Sequence, residues 1–207
     1  MDTKAMYKLG YGLYVLTSQH YGYHNGCIIN TAIQVTTTPN RISITVNKSN
    51  LTHDMIINTG EFNLSVLTED ASFDLFKHFG FQSGSEANKL RGYPNAAMSA
   101  NGLYYITEST NAYISAKVVH TFDLGTHTMF IADVTDAVIL SDRPSVTYAY
   151  YQDHIKPRPA APAPSPEAKT TKWVCRICGY IYEGEELPAD FICPICKHGA
   201  IDFEKLE

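Results

Sequence analysis

Runs of positive charge are missing from this chain. Its 16 lysines and arginines are outnumbered by 21 acidic residues, leaving a net charge of −5. Basic residues nowhere form a stripe that could track a phosphate backbone, so no nucleic-acid partner is expected. Long apolar runs are missing too. No segment reaches the ~20 residues of a membrane-spanning helix, and the opening MDTKAMYKLGYGLYVLTSQH lacks the apolar block of a signal peptide. No membrane partner is expected either, and the chain reads as cytoplasmic. Cysteine is scarce: of five, four fall after residue 174 as two C-x2-C pairs. In an intracellular chain such pairs are metal ligands before they are disulfides. The fifth, Cys27, stands alone in apolar GCII with no cation to lower its pKa, and reads as a small buried hydrophobe.

What is present has two parts. From Lys156 to Thr171 the sequence KPRPAAPAPSPEAKTT holds five of the ten prolines, a composition that makes a stiff, extended linker of about 3.1 Å per residue. It separates residues 1–155 from residues 172–207. In the first part, stretches rich in β-branched and aromatic residues recur between turn signals: GLYVLTSQ, GCIINTAIQV, RISITVN, FNLSVL, AYISAKVVHTF and TMFIADVTDAVIL. They predict a mainly β, antiparallel barrel or sandwich. Helical patches are expected at residues 2–9, at LTHDMIINTG and at ASFDLFKHFG, the last with apolar residues at i, i+3 and i+4 and a stop at Gly80. No internal repeat is visible.

Three stretches of the first part invite chemistry. GYGLYV at residues 10–15 imitates a dinucleotide fingerprint, but Val15 replaces the third glycine and the run leads into a strand, so it reads as a turn. VNKSNLTHDMI, residues 46–56, passes from strand to helix through Lys48. A helix N-terminus offers free N–H groups and a favourable dipole, which beside a lysine suit a phosphate. The alternative is that Ser49, Asn50 or Thr52 simply caps the helix. The strand IINTAIQVTTTP, residues 28–39, alternates small or hydroxylated side chains with apolar ones and would let a flat ring approach the backbone; it also reads as an ordinary strand.

Taken together, GLYVLTS, NGCIINTAIQVTTTP, ISITVNKSNLTHDMI, GEFNLSVL, FGFQSGSEANKL, GTHTMFIADV and TYAYY resemble the flavin reductase-like family over residues 1–151. The resemblance implies an FMN-binding split β-barrel with a few short helices, a homodimer with FMN at its interface, and reduction by NADH or NADPH. It also implies that Asn30, Thr31, Ala32, Gln34, Val35 and Thr36 lie along the isoalloxazine. Asn47, Lys48, Ser49, Asn50, Thr52 and His53 would hold the ribityl phosphate, and Phe81, Ser83, Gly84 and Lys89 would flank the flavin. The family often has Gly-Asp-His where this chain has Gly125-Thr126-His127. His127 is therefore a candidate catalytic residue that has lost its carboxylate neighbour, or a half-buried strand histidine. His20 and His24, in a YGYHNG turn, read as surface residues.

In the second part, Cys175, Cys178, Cys193 and Cys196 form two C-x2-C pairs separated by fourteen residues. Four thiolates at this spacing make a tetrahedral sulfur site for zinc or iron. So small a segment has little core, so the metal supplies folding energy. KWVCRICGYIYEG and ICPICKHGAIDFEKL resemble rubredoxin, and the short loop EGEELPADF resembles the rubredoxin module of rubrerythrins. Trp173, Tyr180, Phe191 and Phe203 are the expected core. Zinc ribbons share C-P-x-C, but a net charge of −3 from four basic and seven acidic residues here is unsuited to nucleic acid. The two-part chain resembles the high-molecular-weight rubredoxins of anaerobic bacteria. That resemblance implies electron flow from NAD(P)H through FMN to one mononuclear iron, and on to a redox partner such as a flavodiiron protein. A shuttle reduced by a separate enzyme, or a zinc-stabilised interaction module, are the alternatives.

Overall fold

The computed structural model describes residues 2–157 and 171–206; residues 158–170, most of the expected linker, lie outside the described residues. The chain opens with a 3-10 turn, Thr3–Lys8, and then builds β1 (Tyr14–His20), β2 (Tyr23–Ile29), β3 (Ala32–Thr37) and β4 (Asn40–Asn47). Tyr21 and Gly22, with φ of 50° and 76°, make the two-residue turn between β1 and β2, the twist that antiparallel hairpins prefer. Helix α1 (Leu51–Thr59) and β5 (Glu61–Leu67) follow, then α2 (Phe73–Gly80), a small hairpin of β6 (Ala96–Met98) and β7 (Tyr104–Ile106), and the long strands β8 (Thr110–Asp123) and β9 (His127–Ile139).

Seven strands form one antiparallel sheet in the order β2-β1-β5-β8-β9-β4-β3. Register shifts in β8, at Ser115/Ala116 and Val118/His120, bend it against β9, and such bulges add the twist that curls a sheet into a barrel. Its inward side chains, among them Leu16, Ile44, Val46, Phe62 and Phe130, are fully buried. The two edge strands, β2 and β3, are consecutive in sequence and stand at opposite ends of the sheet order. The expectation of one continuous strand GCIINTAIQV is corrected here: β2 stops at Ile29 and β3 begins at Ala32. Thr31 at the break turns its hydroxyl onto the carbonyl of Thr45, 2.7 Å away on β4.

A second core lies outside the barrel, where α2 presents Leu75, Phe76 and Phe79 to Leu13, Val15, Ile106 and Tyr151. Ser72 caps α2 by accepting from the Leu75 N–H at 3.3 Å. Gly80 does not terminate α2 as a left-handed cap; the cap is Phe81 with φ −111°. A side chain at Gly80 would meet Ile28 at 3.3 Å, so the glycine serves close packing on β2. The left-handed cap belongs instead to α1, where Gly60 (φ 71°) donates its N–H to the Ile56 carbonyl. TYAYY is a helical turn, Tyr148–Tyr150, continued by a π-helical turn, Tyr151–Ile155.

The C-terminal piece is a three-stranded sheet in the order β11-β10-β12, made of β10 (Lys172–Cys175), β11 (Ile181–Glu183) and β12 (Phe203–Leu206). Phe203 is buried with Cys175 and Cys193, and Trp173, Tyr180 and Phe191 pack around them as expected.

Candidate functional site

One candidate site lies at the end of the barrel where β4 runs into α1. Asn47 pairs in register with His127 across β4 and β9, and the Lys48 N–H donates to the Thr126 carbonyl at 3.0 Å. The Lys48 ammonium sits 2.7 Å from the Asp123 carboxylate. Asp123 also accepts from the Gly125 N–H at 2.8 Å in the β8–β9 turn, and the Lys48 hydrogen bond holds its carboxyl below the usual carboxylate range. Asn47 folds back to accept from both the N–H and the hydroxyl of Ser49, each at 2.9 Å. Asn50 occupies the N-cap position, yet its side chain makes no capping bond. The capping alternative is thus not realised by Asn50, and Lys48 stands two residues before that N-cap, near the positive end of the helix dipole.

Neighbouring segments converge on this end. A side chain at Gly84 would meet Leu51 at 3.0 Å, which places the segment from Phe81 through Ser83 to Gly84 against the first residue of α1. Asn25 fixes it by donating to the Gly84 carbonyl at 3.0 Å. Asn30 and Thr31 come alongside through the Thr31–Thr45 bonds. His127 Nδ1 lies 2.8 Å from the Thr126 hydroxyl.

Beyond Thr31, β3 runs open: only Ala32 is buried, while Ile33, Gln34, Val35 and Thr36 are exposed, with a register shift between Gln34 and Thr36. Gln34 reaches Asn40 at 2.8 Å and Thr36 bonds the Pro39 carbonyl at 2.6 Å. Below this strand is a cavity of about 320 Å³ lined by Tyr14, Ala32, Gln34, Asn40, Ile42 and Val134. Its apolar walls and few polar groups are the usual make-up of a small-molecule site.

Three of the expected contact residues turn inward. His53 is 8% exposed and is held between Asp54 at 2.8 Å and Thr128 at 2.9 Å. Thr52 is buried and hydrogen-bonds the Cys27 thiol, which burial pushes up in pKa while Lys89 and Thr52 pull it down. Lys89, 4% exposed, donates to the carbonyls of Gly26 and Phe79, both at 2.9 Å, and ties α2 to β2. Desolvation lowers its pKa. Of the histidines read as surface residues, His24 is half-buried, with burial lowering its pKa and a Tyr104 ring 4.9 Å away. Sequence reasoning missed Asp123. Its only local sign was an aspartate two residues before a turn glycine.

The second candidate site is a metal knuckle. The four sulfurs of Cys175, Cys178, Cys193 and Cys196 all lie within 4.8 Å of one another. The Cys175–Cys196 and Cys178–Cys193 separations are 3.5 and 3.4 Å, against edges of about 3.8 Å for a tetrahedron with metal–sulfur bonds of ~2.3 Å. The donor set therefore fits a thiolate-bound metal. The two loops are built alike. The Gly179 N–H returns to the Cys175 carbonyl at 2.8 Å and the Lys197 N–H to that of Cys193 at 2.9 Å. Gly179 and Lys197 both have positive φ, 80° and 61°. Tyr180 and His198 each aim a backbone N–H at the sulfur two residues before them. Such bonds stabilise thiolate charge and tune a bound metal. The turn from Cys175 to Tyr180 is thus matched in local geometry by the turn from Cys193 to His198.

Without a metal, burial pushes the Cys178 thiol up to about 12 and Cys196 higher still. Burial also opposes the Cys193 thiolate, but N–H groups of Cys196 and Ile195 bring its pKa down. Around the sulfurs, Phe191 packs on Tyr182 at 4.7 Å and on Phe203 at 5.3 Å. Among the described residues no helix is long and apolar enough to cross a membrane.

Comparison with known proteins finds matches for both parts of the chain. Residues 6–158 match the model of the flavin reductase like domain, and residues 173–204 match the rubrerythrin, rubredoxin-like domain. The high molecular weight rubredoxin of Moorella thermoacetica is 38% identical, with the full length of both chains covered. The ferric-chelate reductase (NAD(P)H) of Archaeoglobus fulgidus is 39% identical over 73% of this chain and 89% of its own. Among solved structures, an FMN-binding protein from Thermus thermophilus superposes with a TM-score of 0.61 at 19% identity, covering 68% of this chain and 82% of its own. An oxidoreductase function in flavin-mediated electron transfer, with a four-cysteine metal site, follows from these matches and the geometry. The chain belongs to the flavin reductase-like family and carries a rubredoxin-like domain after the barrel.

Proposed function

We propose that the chain is an NAD(P)H-dependent flavin–rubredoxin oxidoreductase: a nicotinamide reduces FMN on the barrel, and electrons leave one at a time through iron in the knuckle to an acceptor protein. The observation that carries the reading is the presence, in one chain, of a flavin reductase-like barrel and a preorganised four-thiolate site. The barrel spans residues 1–155 and the knuckle 172–207 in this reading, and the working form is a cytoplasmic homodimer.

A flavin bound here accepts a hydride and gives up electrons singly; that chemistry is its own. The chain orients it. The N-terminus of α1 with Asn47, Lys48, Ser49 and Asn50 would receive the phosphate, and Lys48 would exchange its bond to Asp123 for one to the ligand. Thr52 and His53 shape that end from within, as Lys89 does by fixing α2 to β2. Asn30, Thr31, Ala32, Gln34, Val35 and Thr36 offer the ring a strand edge, with Phe81, Ser83 and Gly84 at its flank. His127 stands where the nicotinamide approaches, hydrogen-bonded by Thr126. In the knuckle, Cys175, Cys178, Cys193 and Cys196 hold iron. The Archaeoglobus relative, an NAD(P)H reductase by name, supports the donor. The acceptor is a redox protein of the flavodiiron kind.

Anaerobic addition of NADH or NADPH to iron-loaded protein tests the reading, because flavin and ferric thiolate both absorb in the visible. Bleaching of both bands is expected. If neither bleaches, the chain is an electron shuttle reduced by another enzyme. Stoichiometric zinc in native protein would leave only an interaction module on a flavin-binding scaffold.

A further inference from the structure

Lys156 follows directly on the barrel part, and its side chain reaches the knuckle. The Lys156 N–H closes the π-helical turn onto the Tyr151 carbonyl at 2.8 Å. Its ammonium donates to the carbonyl of Arg176, inside the loop that joins Cys175 to Cys178. The main chain follows: a side chain at Gly179 would lie 3.9 Å from the Pro157 carbonyl. Between the two parts is a cavity of about 760 Å³, lined by Tyr11, Tyr148 and Gln152 on the barrel side and Val174, Ile177 and Leu206 on the knuckle side. Lys156, Cys175 and Glu204 all line it as well. The second cysteine loop does not share this contact and carries Ile192 and Ile195, 60% and 48% exposed.

We propose that Lys156 is a positioning residue that latches the knuckle onto the barrel through the first cysteine loop, with a grip that strengthens when the metal centre gains an electron. A centre of four thiolates carries −1 with ferric iron and −2 with ferrous iron or zinc. Adding one electron, with no proton and no bond broken, doubles the charge facing the ammonium, and in a half-buried setting that attraction is weakly screened. Linkage is reciprocal, so whatever reduction adds to the grip, Lys156 adds to the reduction potential. A tenfold tighter grip in the reduced state corresponds to about 59 mV for one electron. In the latched state the second loop is the face left open to an acceptor.

The consequence for catalysis rests on the electron-transfer reading, but the latch is measurable without flavin turnover. The potential of iron-loaded full-length protein is read by spectroelectrochemical titration with dithionite for wild type, Lys156→Gln and Lys156→Arg. Lys156→Gln should lower the potential, by an amount that shrinks at high salt, while Lys156→Arg stays close to wild type. Hydrogen exchange on zinc-loaded full-length protein should show faster exchange around Tyr11 and Tyr148 in Lys156→Gln, with an unchanged barrel interior. An unchanged potential in Lys156→Gln overturns the redox coupling, and unchanged exchange overturns the latch. Failure to load iron would sink the electron-transfer reading, yet leave the exchange comparison able to decide the latch.

Discussion

The knuckle and the flavin end of the barrel differ in how far the chain has assembled them. In the knuckle, four sulfurs from two loops already converge, and backbone N–H groups point at them. At the proposed flavin end, Lys48 is bonded to Asp123, and the strand proposed to carry a ring is exposed from Ile33 onward. A compact ion needs only a few ligands at fixed separations, which two short turns can provide. A large flat cofactor needs surfaces from distant strands, and here the residues expected at its phosphate divide into an outward set and an inward set. The metal site is thus encoded locally and the flavin site globally.

The comparison breaks most completely at a ligand. Cys193→Ser should remove the ferric-thiolate absorbance and the fold of residues 171–206, since structural metal binding contributes on the order of 10 kcal/mol to such small domains. FMN reduction by NADH should survive, which stopped-flow absorbance can check; loss of both would mean that the two parts are not separable. Acid acts on the same site. Cys178 and Cys196 have raised thiol pKa values without metal, so protons compete with the ion. Apparent metal affinity should rise with pH and be lost as pH falls, by roughly tenfold or more per unit where more than one proton is displaced. Competition with a chromophoric chelator across pH 5 to 8 measures it.

Smaller effects sharpen the flavin side. Lys48→Ala should weaken FMN binding by about 1.5 to 3 kcal/mol, the range for a hydrogen bond to a charged group, and leave riboflavin, which has no phosphate, unchanged. Asp123→Asn frees the same ammonium and should tighten FMN by only a few fold, because exposed ion pairs contribute roughly 0 to 1 kcal/mol. Fluorescence titration with both flavins separates the two outcomes. The smallest test sets one cysteine loop against the other. Gly179→Ala should destabilise the knuckle and Lys197→Gly stabilise it, each by about 1 kcal/mol, because both positions are left-handed and only one has glycine. Chelator-induced unfolding compares them.

Much of this was legible. The C-x2-C pairs, the glycine after Cys178 and the four aromatic residues declared the knuckle, because its determinants lie within a few residues of each other. The strands declared themselves through β-branched runs, and Lys48 before a helix marked an anion end. The rest depends on partners far away in sequence. Asp123 lies 75 residues from Lys48, and nothing near either residue names the other. Lys89 and His53 looked available because lysine and histidine are usually exposed; tertiary carbonyls and a threonine bury them. The break at Asn30 and Thr31 was hidden because no glycine or proline marks it; α2 does end at Gly80 as expected, although that glycine serves close packing and not a left-handed cap.

Strand β3 has one further consequence. It hydrogen-bonds β4 on one side only, and it presents Ile33, 65% exposed, and Val35 along that free edge. An unprotected apolar edge is also a template for aggregation. In the proposed reading cofactor and partner subunit cover it, so they act as folding aids before they act in catalysis. In a producing cell, the yield of soluble chain should then follow riboflavin supply, and flavin-starved cultures should lose the protein to inclusion bodies before they lose its activity.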